Sequence, residues 1–183
     1  MKLSAQYQWL YSLPVIPKMV AEGLKLLEQD TEEIPGKGSN PVIMQLAKEA
    51  GVLDIYPNDE VAWCAVAHSA IAIRAGKEVS FTGYDRLRAA SFTKWGQEVI
   101  TPMLGDTLVF IRPGGAHVGL YIAEDETAYH VMGGNQSNKY CIIRILKSRL
   151  TTARRPLYKS GVPSTVTVRN VTPSGMPLSA NEA

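Results

Sequence analysis

The residues of this 183-residue chain best suited to covalent chemistry are a cysteine and a histidine on separate elements. Cys64 lies in Asp59–Gly76, which reads DEVAWCAVAHSAIAIRAG. Asp59 suits an N-cap, Glu60 puts negative charge in the first turn, and Gly76 supplies a stop after an alanine-rich run, so the pattern predicts one helix. A thiol in the opening turns of a helix feels the positive end of its dipole and nearby backbone N–H groups. Both favour the thiolate, the form that attacks carbonyl carbons. Taken alone, such a cysteine is more often a core residue, because free cysteine is among the most buried residue types.

The histidine changes that balance. In Met103–Ala123, MLGDTLVFIRPGGAHVGLYIA, Gly105-Asp106 turns into the apolar run Thr107–Ile111, and Arg112–Gly115 breaks the strand. His117 opens the next strand, where Gly119 is small enough for another backbone or a substrate to approach. A helix-start cysteine facing a strand-borne histidine is the papain-type arrangement, in which the imidazole takes the thiol proton. His117 alone reads as a satisfied core or turn histidine. His68 shares a helical face with Cys64. It reads as structural, because a side chain from the same helix approaches the sulfur awkwardly. Asp106 reads as a turn residue, and Trp63 as either core or cleft wall. The backbone N–H of Cys64 is a candidate oxyanion donor.

Together, the WCA helix start, the GD turn, the GAHVGLYI strand and the following YHVMGGNQS resemble NlpC-type and CHAP-type papain-like peptidoglycan hydrolases, and more closely a phage endolysin-like branch of them. EEIPGKGSNPVIMQL, Glu32–Leu46, is similar to that branch's amino-terminal signature, and AASFTKWG, Ala89–Gly96, to its mid-domain motif. The mid-domain motif usually carries Arg and Trp where this chain has Ala90 and Phe92. The resemblance spans roughly residues 18–148 and implies a cysteine peptidase or amidase that cuts an amide bond in bacterial peptidoglycan. The bond lies within the stem peptide or between muramic acid and L-Ala. It implies Cys64 as nucleophile, His117 as base, and Trp63 and Trp95 as substrate contacts, with no cofactor and no metal. For the group that orients His117 it leaves two candidates. His130 holds the position of a second histidine in NlpC-type enzymes, and Asn135 resembles the polar residue of CHAP-type ones. Strand parity separates them: an even-length turn around Asp125 puts His130 on the face of His117, an odd one selects Asn135, and a bulge overturns either inference. Position favours His130. A non-catalytic wall-binding or structural phage component with the same fold, an antibacterial amidase effector and an acyltransferase are the competing readings.

The rest of the chain bounds these readings. Its length suits one domain, and 45% apolar content suffices for a single core. Two cysteines make no disulfide framework, and Cys141, in the apolar run Tyr140–Leu146, reads as a free core residue. Without a long apolar span or a signal-peptide core, the expectation is synthesis in the cytoplasm as a monomer, with release to the wall by another component. Residues 127–183 carry eight Lys or Arg against Glu182 alone, whereas the rest holds 11 basic and 16 acidic residues. That basic end suggests either a solvated surface or electrostatic contact with an anionic envelope. No aromatic-rich motif accompanies it, which argues against nucleic acid.

Helical stripes fall on Lys18–Gln29 and on the segment that Asn40 caps and Gly51 ends, with Pro41 at its first position. Tyr84–Ala90 reads as a short helix. Strands follow at Thr107–Ile111, His117–Ala123, Ala128–Met132 and Tyr140–Leu146. Helices first and an antiparallel sheet afterwards give an α+β, papain-like fold. Its expected organisation is an arm over residues 1–17, a hydrolase domain over 18–150, and a basic Pro/Ser/Thr-rich tail over 151–183. In that tail Thr165–Arg169 alternates like an edge strand, and the segment beyond Asn170 reads as disordered.

Overall fold

The computed structural model describes residues 3–112, 114–172 and 176–179. Helix α1 is Lys18–Glu28, and its apolar stripe, Met19, Val20, Leu24 and Leu27, is buried. Gly23 lies on that face for a steric reason: a Cβ there would stand 2.5 Å from Met132 Cε and 2.7 Å from the Tyr140 hydroxyl. Helix α2, Pro41–Glu49, starts as expected, with Asn40 Oδ1 accepting from the Val42 N–H at 2.8 Å. Helix α3 is Cys64–Arg74, buried from Cys64 to Ala72. It ends where Gly76 takes φ +70°, the Lys77 N–H returning to the Ala72 carbonyl at 2.8 Å. Arg74 clamps α3 to α2 through both carboxylate oxygens of Glu49, at 2.5 and 3.1 Å.

Among the described residues, six strands form one antiparallel sheet: β1 Gln97–Val99, β2 Thr107–Arg112, β3 Gly115–Glu124, β4 Ala128–Gln136, β5 Lys139–Leu146 and β6 Thr152–Arg155. Their order is β1-β6-β2-β3-β4-β5. The architecture is therefore α+β. The larger core joins the helices to one sheet face through residues such as Val109, Val118, Leu120, Ile122 and Met132. A smaller cluster, Leu108, Phe110, Tyr121, Val131, Ile145 and Ala153, covers the other face. Among the described residues, no helix is long and apolar enough to cross a membrane.

Three expectations need correction. The cysteine helix begins at Cys64, not beside Asp59, whose Oδ2 instead accepts from the N–H groups of Ile34 and Asn40 at 3.0 and 2.7 Å. That carboxylate is committed to the loop entering α2, so no cap is left for α3. The boundary at residue 150 also fails, because β6 lies between β1 and β2, inside the sheet. Arg155 on β6 grips buried Asp106 through two bonds, at 2.9 and 2.7 Å. Thr165–Arg169, finally, forms no strand. It crosses the sheet's end, where the Leu104 N–H donates to the Thr167 carbonyl and the Glu124 N–H to the Arg169 carbonyl. Positions 173–175 and 180–183 of the expected disordered tail lie outside the described residues.

The basic end is spent largely within the fold. Lys139, Arg144, Lys147, Arg154 and Arg155 pair with Glu32, Asp125, Glu124, Glu98 and Asp106. Five of the eight cations thus bind the acidic part of the chain rather than facing outward unpaired. The amino-terminal arm is a strap: Ala5–Ser12 is a 3-10 helix with Tyr7 and Leu10 buried.

Candidate functional site

Cys64 opens α3 and is 6% exposed. An indole precedes it at the N-cap position, and the Trp63 Nε1–H donates to Glu33 Oε1 at 2.7 Å. The ring lies on β4, where a Cβ at Gly134 would stand 2.5 Å from Trp63 Cε3 and Cζ3 and 3.2 Å from Ala67 Cβ. Glycine at that position is what lets the helix start rest on the sheet. The charged neighbours acting on Glu33 are acids, Asp59 and Glu60, and burial foremost raises its carboxyl pKa. Trp63 is fully buried and Trp95 nearly so, with the Trp95 N–H donating to the Glu78 carbonyl at 2.8 Å and its ring edge-on to Phe92. Both indoles brace the core.

His117 is 1% exposed and pairs with Phe110 across the β2–β3 ladder, the two rings stacked at 6.4 Å. Side chains alternate along a strand. Val118, Leu120 and Ile122 therefore point toward the helical core, while His117 shares the other face with Phe110, Gly119 and Tyr121. His117 Nε2 lies 2.9 Å from Gln136 Oε1. The Gln136 amide has one orientation: its NH₂ donates to the carbonyls of Cys141 at 2.6 Å and Val131 at 3.2 Å. The oxygen must then face the imidazole, so Nε2 carries the proton and Nδ1 holds the basic lone pair.

The partner of Nε2 is thus neither sequence candidate. His130 Nε2 pairs with Asp125 Oδ2 at 2.9 Å, and its Nδ1 bonds the Tyr7 hydroxyl at 2.5 Å, all buried. It ties the amino-terminal strap to the sheet. The parity argument fails on two irregularities. Leu120 pairs with Met132 and Tyr121 with Val131, but the register shifts before Ala123 meets His130. Carried back to His117, the even register would select Asn135. Asn135, however, sits at φ +57° within a second shift between Gly133 and Gln136, and this bulge turns the next residue to His117. GGNQ did contain the signal, an amide beside the expected one; asparagine tolerates the positive φ that chooses between them, but that tolerance does not by itself place a bulge there.

His68 is structural. Its Nε2 shares a 2.8 Å hydrogen bond with Thr107 Oγ1, and its ring meets Phe92 edge-on at 4.8 Å. Burial first, then the charge of His117, pushes its pKa down to about 3. An unfolded chain takes up that proton near the ordinary value of about 6.5. Stability is therefore intact above that pH and falls as pH drops toward 3, by about 1.4 kcal/mol per unit. His68→Gln should flatten this acid limb in urea melts from about pH 7 to about pH 4, whereas an unchanged slope would assign it elsewhere.

Cys141, opposite Gly133, lies 3.8 Å from Gln136 Nε2 through its sulfur, and burial foremost pushes its thiol pKa up. Neither cysteine forms a disulfide. Among the described residues, no group of three or more His, Cys, Asp or Glu side chains is placed to hold a metal ion. No protein-family model matches this chain, and neither does any curated protein.

Proposed function

We propose that this protein is a papain-like cysteine hydrolase that cuts an amide bond of bacterial peptidoglycan, with Cys64 as nucleophile and His117 as base. The observation that carries the reading is the Gln136 amide, which leaves the basic lone pair of His117 on Nδ1. In the reaction Cys64 Sγ attacks the carbonyl carbon while Nδ1 takes the thiol proton. The backbone N–H of Cys64 and the positive end of α3 stabilise the oxyanion. The C–N bond breaks, the amine leaves with the imidazolium proton, and water releases the acid from the thioester. Cys64 belongs to the core between the helices and the sheet, and the reading requires the imidazole of His117 to reach its sulfur. Purified peptidoglycan incubated with the protein should lose turbidity, and the mass of the released fragments names the bond. Unchanged sacculi would refute the hydrolase reading.

Gln136 acts through His117 as a positioning residue. Gln136→Leu should lower kcat by about a hundredfold with KM little changed, since misplacement by about an ångström has that effect. Its pH–rate profile should also shift, which loss of structure alone would not produce.

A specific observation favours a second reading, a non-catalytic wall-binding component of the same fold: Cys64 and His117 are almost wholly enclosed. In that case sacculi bind the protein and stay intact.

A further inference from the structure

At the other end of α3 from Cys64, two adjoining clefts of about 430 and 370 Å³ share Gly76, Lys77, Leu157, Tyr158 and Lys159. An eleven-residue helix separates them from the cysteine, a rise of about 1.5 Å per residue. Their walls combine two features. Leu157 is 69% exposed and Val15 54%, beside Pro156 and Pro163, so the floor is apolar. Lys18, Lys77, Lys94 and Lys159 line the clefts, and the single acid among the lining residues is Glu78. Lys77 is held in place, its Nζ donating to the Leu157 carbonyl at 2.6 Å and lying 4.1 Å over the Tyr158 ring.

We infer that these clefts form a second binding site, distinct from Cys64 and His117, for an anion that carries an apolar or ring portion. The anionic group sits among Lys18, Lys77 and Lys159, and the apolar portion lies on Leu157 and Tyr158. Two features support it beyond the cleft's shape. The volume is that of small-ligand sites, which combine apolar walls with a few fixed polar groups. The ammonium groups also oppose one another: burial, then Lys18 and Lys159, lowers the pKa of Lys77, and an anion would relieve that repulsion. Basic residues elsewhere, such as Arg144 and Arg155, have carboxylate partners inside the fold; among the described residues no such ion pair involves these lysines. The inference does not rest on the hydrolase reading.

Phosphate esters and carboxylates present the same chemistry here, and titration of the full chain with phenyl phosphate, benzoate and inorganic phosphate separates them. Calorimetry, with Trp95 fluorescence as a second readout, should show saturable binding of one ring-bearing anion, about tenfold tighter than inorganic phosphate. The tighter of the two names the anionic group. Lys77→Gln and Lys159→Gln should each weaken it about three- to fivefold, the scale of one exposed ion pair. Lys159 is exposed, so its variant tests the site without disturbing the fold. Cys64→Ala should bind like the original chain. Binding that never saturates, that is equal for inorganic phosphate, or that survives both lysine changes overturns the inference.

Discussion

Cys64→Ala should reduce peptidoglycan cleavage by at least about 10⁴-fold in kcat, the scale on which removal of a covalent nucleophile acts. The fold should survive. Deleting one buried sulfur leaves a small void worth about 1 kcal/mol, or about 2–4 °C in melting temperature for a chain of this size. Cys141→Ser is the paired control. Cys141 lies beyond Gln136, on the sheet face that His117 shares with Phe110, so the structure does not make it remote from the imidazole. Burial nevertheless holds it as a thiol, and its exchange for serine should leave most of the activity. Full activity in Cys64→Ala, with loss in Cys141→Ser, would transfer the nucleophile to Cys141 and place the chemistry wholly on that face.

Ending the chain at Leu150 should unfold the protein. The deletion removes β6 from between β1 and β2, leaving β2 with an open edge and β1 without its partner. Ala153 leaves the smaller core, and Asp106, completely buried, loses both Arg155 bonds. Breaking a buried ion pair from one side alone costs about 3–5 kcal/mol, against a total stability of about 5–15 kcal/mol for a typical domain. No cooperative melt and no hydrolysis of a soluble peptide fragment should remain, whatever the salt. A graded version keeps the test informative. Arg155→Ala in the full chain should lower stability by about 3 kcal/mol in denaturant melts, with the fold retained. A chain ending at Leu150 that melts cooperatively and cleaves the soluble fragment would restore residues 151–183 as an accessory tail.

Both outcomes turn on the difference between local signals and contacts made across the fold. Local signals place the elements whose formation depends on a few neighbouring residues. Asn40-Pro41 starts α2, Gly76 ends α3, and Gly105-Asp106 turns into β2. Alternating apolar runs mark β2 to β5, which together with the helices give the α+β class. The same signals identify Cys64 at a helix start and His117 on a strand. Where two distant segments compete for one partner, they are silent. Asp59 has the chemistry of an N-cap, yet the loop at residues 34–40 takes its carboxylate. TVTVR has the alternation of a strand, yet TARR pairs instead, because Arg155 meets a buried carboxylate and Ala153 fits a packed core. The partner of His117 is the sharpest case. His130 and Asn135 both satisfy a strand-parity rule, but two register shifts and one residue at positive φ bring in Gln136. Such shifts arise from packing across the whole sheet, where Gly134 must yield to Trp63 while Gln136 finds the Val131 and Cys141 carbonyls. Non-local packing sets those positions, so neighbouring residues name the candidates without choosing among them.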